Sequence, residues 1–321
     1  MTSPAAIIKS IDFRSLPVSD YNRSYIMRML PAIDYYVDIY EQSLGRLLSR
    51  TSANPHDLVL VDYGGGHGFF SIVAKLSGIG RVVYVDINPM SVQAATAVKE
   101  AAGIGADLFL QGDSSTLRKW CSSQGVKPHM LAGFDVIEHI YRLEPFFADV
   151  FAINPHIQIL FTTASNPCNP FVRHHLHKAM RADEFSAGGF RQLRRLHIAQ
   201  LYPDTPQSEL DRLADATRGL SFADIDKLLC NPHASLDSSP TIPKPPFPNT
   251  CDPVTGSWTE RILPISAYRS LLAPYGRRVS VNNGFYNSRR RGAKGIASSI
   301  INPLLHLPAT IWFAPFVFIE A

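Results

Sequence analysis

The sequence predicts an α/β protein, built on a mostly parallel β-sheet with helices on both faces. Short apolar runs typical of buried strands recur between residues 58 and 164, and segments with helical spacing separate them. Most of these runs close on an acidic or polar residue, where ligand-binding groups stand at the edge of an open parallel sheet. The chain has 321 residues, 45% of them hydrophobic, which is enough for one such core and an additional lobe.

The first strand and the glycines after it form the most informative segment. Residues 58–61 are apolar, Asp62 follows, and four glycines occur from Gly64 to Gly68 before helical spacing resumes at Phe69. Glycine serves where the backbone turns with a positive φ, or where a ligand presses on the main chain. A strand, a glycine loop and a helix in this order predict a nucleotide site at the carboxyl end of the strand. A plain structural turn is the alternative for the loop taken alone.

The spacing of the glycines distinguishes between ligands. A dinucleotide fingerprint requires glycine at the position of Phe69, so this class of ligand is disfavoured. The observed pattern, D-x-G-G-G-x-G, resembles motif I of the class I S-adenosylmethionine-dependent methyltransferases. The resemblance implies a Rossmann-like sheet of seven strands and S-adenosylmethionine as the cofactor. The cofactor-binding residues that it implies in this segment are Asp62, Gly64, Gly66 and Gly68.

Further apolar runs support this resemblance. They cover residues 81–86, 106–113, 133–139 and 157–164. Asp86 ends the first of them, where nucleotide-binding α/β domains place a carboxylate for the ribose hydroxyls. The resemblance places Asp113 near the adenine amino group, and Asp135 completes the ordered set of cofactor-side acids. Each acid alone fits an ordinary turn, but four in order favour a cofactor site.

We divide the chain into four segments. They are a helical cap (residues 1–50), the cofactor-binding core (51–164), an insertion (165–256), and the last helix with the last two strands (257–321). The cap is expected as a helix over residues 20–48 that is interrupted at Pro31. It covers either the cofactor or only the edge of the sheet.

The insertion leaves the sheet after the fifth strand, on the side where ligands bind. We therefore expect a lid that shapes the acceptor pocket and has no core of its own. A proline-rich strip over residues 232–253 predicts a rigid, extended linker rather than a packed element.

Basic residues within the insertion leave two interpretations open. Arg191, Arg194 and Arg195 stand at helical spacing, so they form either a solvated face or a site for an acidic group of the substrate. The histidine cluster that follows the fifth strand, with no carboxylate in its run, is predicted to be surface or substrate-facing rather than a metal site. Its members are His174, His175 and His177.

The C-terminal segment combines a basic cluster with a long uncharged stretch. After residues 289–294 no charged residue occurs until Glu320, but three prolines divide the stretch, so a membrane-spanning helix is not expected. The methyltransferase resemblance implies that residues 313–319 form an antiparallel last strand between strands five and six. Residues 289–311 remain as an arm that contacts a membrane surface, a partner or the lid.

His139 is the predicted catalytic base. The reaction of the family is an in-line methyl transfer, for which the protein supplies proximity, alignment and proton removal, and imidazole suits the last task. The alternative is that Glu138 and His139 only orient the loop. The same segment resembles the E-x-x-E-H magnesium motif of ubiquinone-biosynthesis O-methyltransferases, with Asp135 replacing the first glutamate. Relatives without a known metal share D-V-I-E-H, so no metal ligand is assigned.

The leading functional hypothesis is methyl transfer to a hydroxyl or carboxyl oxygen of a small-molecule acceptor. The alternatives are a peripheral membrane enzyme acting on a lipid or quinone, and a catalytically silent methyltransferase-like partner protein. Nucleic acid is not expected, because the net charge is only +4 and the N/D-P-P-Y/F loop is missing after the fourth strand. Four scattered cysteines and no secretory signal predict a cytoplasmic protein with reduced thiols. The acceptor and the oligomeric state stay open.

Overall fold

The computed structural model describes residues 3–229 and 245–321, and these residues form two compact units. The first unit comprises Met1–Ile137, Leu143–Thr163 and Ile265–Ala321. The second comprises Glu138–Arg142 and Ala164–Pro264.

A seven-stranded sheet forms the centre of the first unit. Its strands are β1 (Val59–Tyr63), β2 (Arg81–Asp86), β3 (Leu108–Gln111), β4 (Met130–Phe134), β5 (Gln158–Thr163), β6 (Ser280–Asn283) and β7 (Val317–Glu320). Their order across the sheet is β3-β2-β1-β4-β5-β7-β6. The first five strands are parallel, and β7 is antiparallel to both of its neighbours. The predicted fold class and the position of the reversed last strand are confirmed.

Helices surround this sheet. In the first unit they are α1 (Pro4–Ser10), α2 (Asp20–Met29), α3 (Ile33–Leu48), α4 (Phe69–Leu76), α5 (Pro89–Ala102), α6 (Ser114–Gln124), α7 (Leu143–Ile153), α12 (Ile265–Leu272) and α13 (Ala293–Ile301). Residues 82–85 of β2 are completely buried, as expected of a parallel strand whose two faces are both covered by helices. The strand order reverses between β1 and β4, and open α/β sheets bind ligands at such a point.

The N-terminal cap follows the prediction closely. A 3-10 turn, Leu30–Ala32, separates α2 from α3 at Pro31, because proline cannot donate the hydrogen bond that a continuous helix needs. The run predicted over residues 133–139 is only partly correct, since β4 ends at Phe134. Asp135 adopts a φ of 47°, which no strand residue can have, and so ends the strand.

The second unit contains four helices of the insertion. They are α8 (Pro170–Phe185), α9 (Phe190–Leu201), α10 (Gln207–Ala216) and α11 (Phe222–Leu229). Buried aliphatic side chains from three of these helices and the turn between α10 and α11 form a separate cluster, consisting of Ile198, Leu210, Leu213, Leu220 and Ile225. The expectation of an insertion without its own core is therefore wrong.

The proline-rich strip is only partly described, because residues 230–244 lie outside the described residues. Its described end is packed. Asn249, Thr250 and Cys251 are buried, and the Asn249 side chain exchanges two hydrogen bonds of 3.1 Å with the backbone of Ile262. For this part, the expectation of an unpacked linker is wrong.

The C-terminal arm forms α13 and two 3-10 turns, Asn302–His306 and Pro308–Phe313. Over the described part of the chain, no helix has the length and apolar character needed to cross a membrane.

Candidate functional site

The glycine loop after β1 begins the candidate cofactor site. Gly64 and Gly66 have positive φ angles of 65° and 54°, which L side chains rarely adopt. A Cβ on Gly64 would lie 2.4 Å from Cγ2 of Val136, so the loop after β4 packs directly on this glycine. A Cβ on Gly66 would meet no atom within 4 Å. The loop is therefore held tightly at Gly64, is open at Gly66, and passes through Gly68 into α4.

The carboxylate of Asp86 is fixed against this loop. The Gly66 N–H donates to Oδ2 at 3.1 Å, and the Asn88 N–H donates to Oδ1 at 2.8 Å. The hydroxyl of Tyr84 donates to the carbonyl of Gly66 at 2.8 Å and so supports the loop from β2. Burial raises the pKa of the Asp86 carboxyl, and the donors from Asn88 and Gly66 hold back part of the rise. Asp86 thus offers a fixed oxygen acceptor beside open backbone.

Asp62 supports the loop from beneath. It is completely buried, and the hydroxyl of Ser71 donates to Oδ2 at 2.6 Å. Within the described residues its Oδ1 has no hydrogen-bond partner, and a Cβ on Gly65 would lie 2.9 Å from its Cγ. Burial raises the pKa of this carboxyl to about 7, against the effect of the Ser71 hydrogen bond. Its burial gives Asp62 a supporting position under the loop.

Asp113 and Asp135 stand at the same edge of the sheet. Asp113 caps α6, with Oδ1 accepting from the N–H groups of Ser115 at 3.0 Å and Thr116 at 3.1 Å. Burial raises the pKa of the Asp113 carboxyl, but the hydrogen bonds outweigh this effect and leave the pKa below its usual range. Asp135 is exposed, and after burial its charge is the next cause that raises the pKa of the Tyr36 hydroxyl.

The N-terminal helix α2 covers the glycine loop. The ring of Tyr25 stacks on His67 of the loop, with centroids 5.2 Å apart and planes at 27°. The side-chain amide of Asn22 donates to the carbonyl of Met90 at 2.8 Å. Burial lowers the pKa of His67 to about 4, so its imidazole is neutral at physiological pH. A histidine inside a glycine loop carries no sequence signal for its partner, and sequence reasoning did not identify it.

Two exposed apolar side chains extend the site next to Asp86. Ile87 is 73% exposed and Met90, at the start of α5, is 41% exposed. Both stand beside a partly buried carboxylate, at the carboxyl end of β2. An apolar surface adjoining a polar anchor suits a ligand that has a flat, apolar ring next to a sugar.

A second group of side chains lies in the second unit. Glu138, His139 and Glu260 bring one ligand atom each to within 4.8 Å of one another. Backbone hydrogen bonds hold the two segments side by side, since the Trp258 N–H donates to the carbonyl of His139 and the Arg261 N–H to that of Glu138, both at 3.2 Å. Glu260 is a residue that sequence reasoning missed, because it is remote from Glu138 along the chain.

The orientation of His139 determines which nitrogen is available. Its Nδ1 lies 2.7 Å from the carbonyl oxygen of Trp258, which can only accept a hydrogen bond. Nδ1 must therefore carry the proton, and Nε2 keeps its lone pair in the neutral ring. The group offers one imidazole nitrogen and two carboxylates, a donor set that fits a divalent transition ion better than magnesium. The third member is Glu260, and Asp135 is not part of the group.

The remaining predicted residues occupy different environments. His174 and His175 are exposed on α8. Arg191 and Arg195 form ion pairs with Asp211 of α10 at 3.2 and 3.1 Å. Both interpretations of the arginines are wrong for Arg194, because it is neither solvated nor available to a substrate.

Arg194 is completely buried. Its guanidinium lies 2.6 and 3.2 Å from the two carboxylate oxygens of Glu184 and donates to the carbonyl of Ala214 at 3.1 Å. The hydroxyl of Thr250 donates to the same glutamate at 2.6 Å. This residue is an internal anchor of the second unit.

Comparisons with known proteins give matches to solved structures only. No protein-family model matches the sequence, and no curated protein matches it. A ribosomal protein methylase from Lactobacillus delbrueckii subsp. bulgaricus is 19% identical, with a TM-score of 0.30, over 38% of this chain and 58% of that chain. Magnesium protoporphyrin IX methyltransferase from Synechocystis PCC 6803 is 18% identical, with a TM-score of 0.34, over 47% and 64%.

MtNAS in complex with S-adenosylmethionine is 16% identical, with a TM-score of 0.34, over 50% of this chain and 54% of that chain. This chain thus spans less than two thirds of each of these structures, at similarities too low to assign an activity. The fold class rests on the sheet itself. Seven strands in the order β3-β2-β1-β4-β5-β7-β6, with β7 reversed, are the arrangement of the class I methyltransferase fold, and this is the fold of the chain.

Proposed function

We propose that the protein is an S-adenosylmethionine-dependent methyltransferase that acts on an oxygen of a small-molecule acceptor. One observation carries the proposal. The carboxylate of Asp86 is held 3.1 Å from the Gly66 amide nitrogen, beside an open glycine loop at the reversal point of the sheet. This arrangement places a hydroxyl-binding carboxylate and accessible backbone at one position.

The residues present fit this cofactor. Asp86 would accept hydrogen bonds from the ribose hydroxyls, and the exposed side chain of Ile87 would cover one face of the adenine. The open backbone at Gly66 leaves room for the amino-acid part of the cofactor. At the third position of a dinucleotide fingerprint stands Phe69, which is buried and opens α4.

The bound cofactor would supply a methyl group on a sulfonium that reacts readily with a nucleophile. The protein then has to hold the acceptor in line and remove its proton. We assign the proton transfer to Nε2 of His139, which follows β4 closely along the chain and whose ring is held through Nδ1. For the second unit, which contains most of the insertion, we propose the recognition of the acceptor.

Calorimetry with the purified protein tests the cofactor assignment. S-adenosylmethionine and its demethylated product should bind with Kd values in the micromolar range, and NAD should not bind. Asp86→Asn should weaken binding of both adenosyl ligands by about 1.5–3 kcal/mol, because a charge-assisted hydrogen bond is lost. Asp57→Asn removes an exposed carboxylate outside the site and serves as the matched control. Equal affinity for NAD, or an unaffected Asp86→Asn variant, would contradict the proposal.

Transfer of a labelled methyl group identifies the acceptor. The protein is incubated with methyl-labelled cofactor and fractionated cell extract, and the labelled product is analysed by mass spectrometry. We expect a small molecule that carries the label on oxygen. Label on nucleic acid, or label on nitrogen, would overturn the assignment of the acceptor while leaving the cofactor assignment intact.

A further inference from the structure

The C-terminal arm, defined here as residues 289–313, presents an unusually apolar surface to solvent. Six of its large hydrophobic side chains are more than half exposed, namely Ile296, Ile300, Leu304, Leu307, Trp312 and Phe313. A soluble surface rarely has so many within so short a segment, and such patches mark sites of interaction.

Helix α13 is oriented so that its apolar side faces outward. Gly295 and Ser298 are its buried residues. Ile296 and Ile300, one turn apart and thus on one face, are 65% and 67% exposed. A helix that only covers a protein core has the opposite arrangement, with its isoleucines inside.

Polar contacts fix the backbone of the arm in this position. The side-chain amide of Asn283, in β6, donates to the carbonyls of Leu305 and Leu307 at 3.0 Å. The side chain of Asn302 bonds to both the N–H and the carbonyl of Tyr286 at 2.8 Å. The exposed side chains therefore belong to a preformed surface rather than to a loose tail.

Positive charge accompanies this surface. Arg289 is bound to Asp38 of α3 by two hydrogen bonds of 2.7 and 2.8 Å, which ties the start of the arm to the first unit. Arg290, Arg291 and Lys294 are exposed beside α13. No acidic residue occurs from position 289 to position 319. An apolar face bordered only by cations matches the surface of an anionic bilayer.

We propose that this arm binds the surface of an anionic lipid bilayer. The isoleucines, leucines, Trp312 and Phe313 would enter the boundary between headgroups and acyl chains, with Arg290, Arg291 and Lys294 at the phosphates. A second copy of the chain fits less well, because an isologous contact through the same face would bring the cations of both copies together. The inference does not depend on the proposed catalytic activity.

Sedimentation with lipid vesicles tests the proposal. The protein should sediment with vesicles of equal parts phosphatidylcholine and phosphatidylglycerol, bind less to pure phosphatidylcholine, and be released by salt. Trp312 emission should shift to shorter wavelength on binding, and the shift should disappear in Trp312→Phe. Combined Ile296→Ser, Ile300→Ser and Leu304→Ser substitutions should lower the partition coefficient at least about tenfold.

Two controls and two contrary outcomes complete the test. Val254→Ser and Phe171→Ser remove exposed apolar side chains outside the arm and should leave vesicle binding unchanged. Light scattering of the free protein gives its oligomeric state. A wild-type protein that stays in solution at millimolar anionic lipid would overturn the proposal. So would a dimer that the triple serine variant dissociates, because the arm would then be an interface between copies.

Discussion

At the scale of a single residue, His139 has the most direct test. His139→Gln keeps a polar side chain of similar size but cannot take up a proton, so turnover should fall by about 10²–10⁴-fold. Affinity for S-adenosylmethionine should be unchanged in calorimetry, since His139 lies outside the glycine loop and the strand ends that carry the cofactor residues. A variant with full turnover would move the search for the base to His174, His175 and His177.

The group around His139 also permits a metal-dependent mechanism, which a chelator separates from the base. If Glu138, His139 and Glu260 hold a divalent ion, then Glu138→Gln and Glu260→Gln should abolish transfer as His139→Gln does, and chelator should inhibit the wild type. Glu100→Gln, on the exposed side of α5, is the control. If the activity resists chelator while His139→Gln is slow, the base assignment stands.

The buried pair under and within the glycine loop predicts a specific pH dependence of stability. Asp62 has a pKa of about 7 when folded and 3.8 as an ordinary side chain, so its contribution to stability is lost as pH rises from about 4 to 7. His67 has a pKa of about 4 when folded and 6.5 otherwise, so its contribution is lost as pH falls from 6.5 to 4. In this window the two effects oppose each other.

Single substitutions should therefore expose one slope each. Between pH 4 and 6.5, the unfolding free energy of Asp62→Asn should rise with pH relative to wild type, by up to about 1.4 kcal/mol per pH unit. His67→Gln should show a fall of similar size. Urea unfolding at several pH values measures both. Parallel pH profiles for the two variants would show that these two groups do not titrate in this window.

The residues found from sequence and those missed differ in how their neighbours are spaced along the chain. Asp86 and Gly66 belong to local patterns of strand, loop and helix, and such patterns can be read directly from sequence. Tyr25 reaches His67, and Glu260 reaches Glu138, through tertiary contacts that no local pattern encodes. The roles of Asp62 and Asp113 in loop support and helix capping likewise became visible only with their hydrogen bonds.

At the scale of an element, the buried ion pair of the second unit gives a stability prediction. Arg194→Met leaves the carboxylate of Glu184 buried without its cation, which should lower the unfolding free energy by about 3–5 kcal/mol in urea titration. The matched control is Arg212→Met, which breaks an exposed pair with Glu209 on α10 and should cost less than about 1 kcal/mol. Equal losses in both variants would contradict an anchoring role for Arg194.

The same ion pair explains why the sequence-based expectation for the insertion was wrong. Arginines at helical spacing normally indicate a solvated face, and α9 contains three of them. Here Glu184 and the carbonyl of Ala214 satisfy the guanidinium of Arg194, so the arginine is buried and the apolar cluster forms around α9. The strands of the sheet were easier, because continuous apolar runs with polar ends are characteristic of parallel strands covered on both faces.

At the scale of the whole molecule, cofactor binding should stabilise the fold. A ligand that binds only the native state at about 100 times its Kd adds about 2.7 kcal/mol, which raises the melting temperature by several degrees. Differential scanning calorimetry should show this shift with S-adenosylmethionine and no shift with NAD. If the two units melt separately, only the transition of the unit with the glycine loop should move. A shift confined to the other transition would misplace the cofactor site.

The position of β7 in the sheet also bears on biosynthesis. β7 is the last strand to leave the ribosome, yet it lies between β5 and β6, and β6 pairs only with it. A nascent chain can assemble the five parallel strands early, but it must then wait with an unpaired edge on β5 until β7 emerges. An unpaired edge is the form in which a sheet aggregates, so the interval before release is the time when this chain most needs a chaperone.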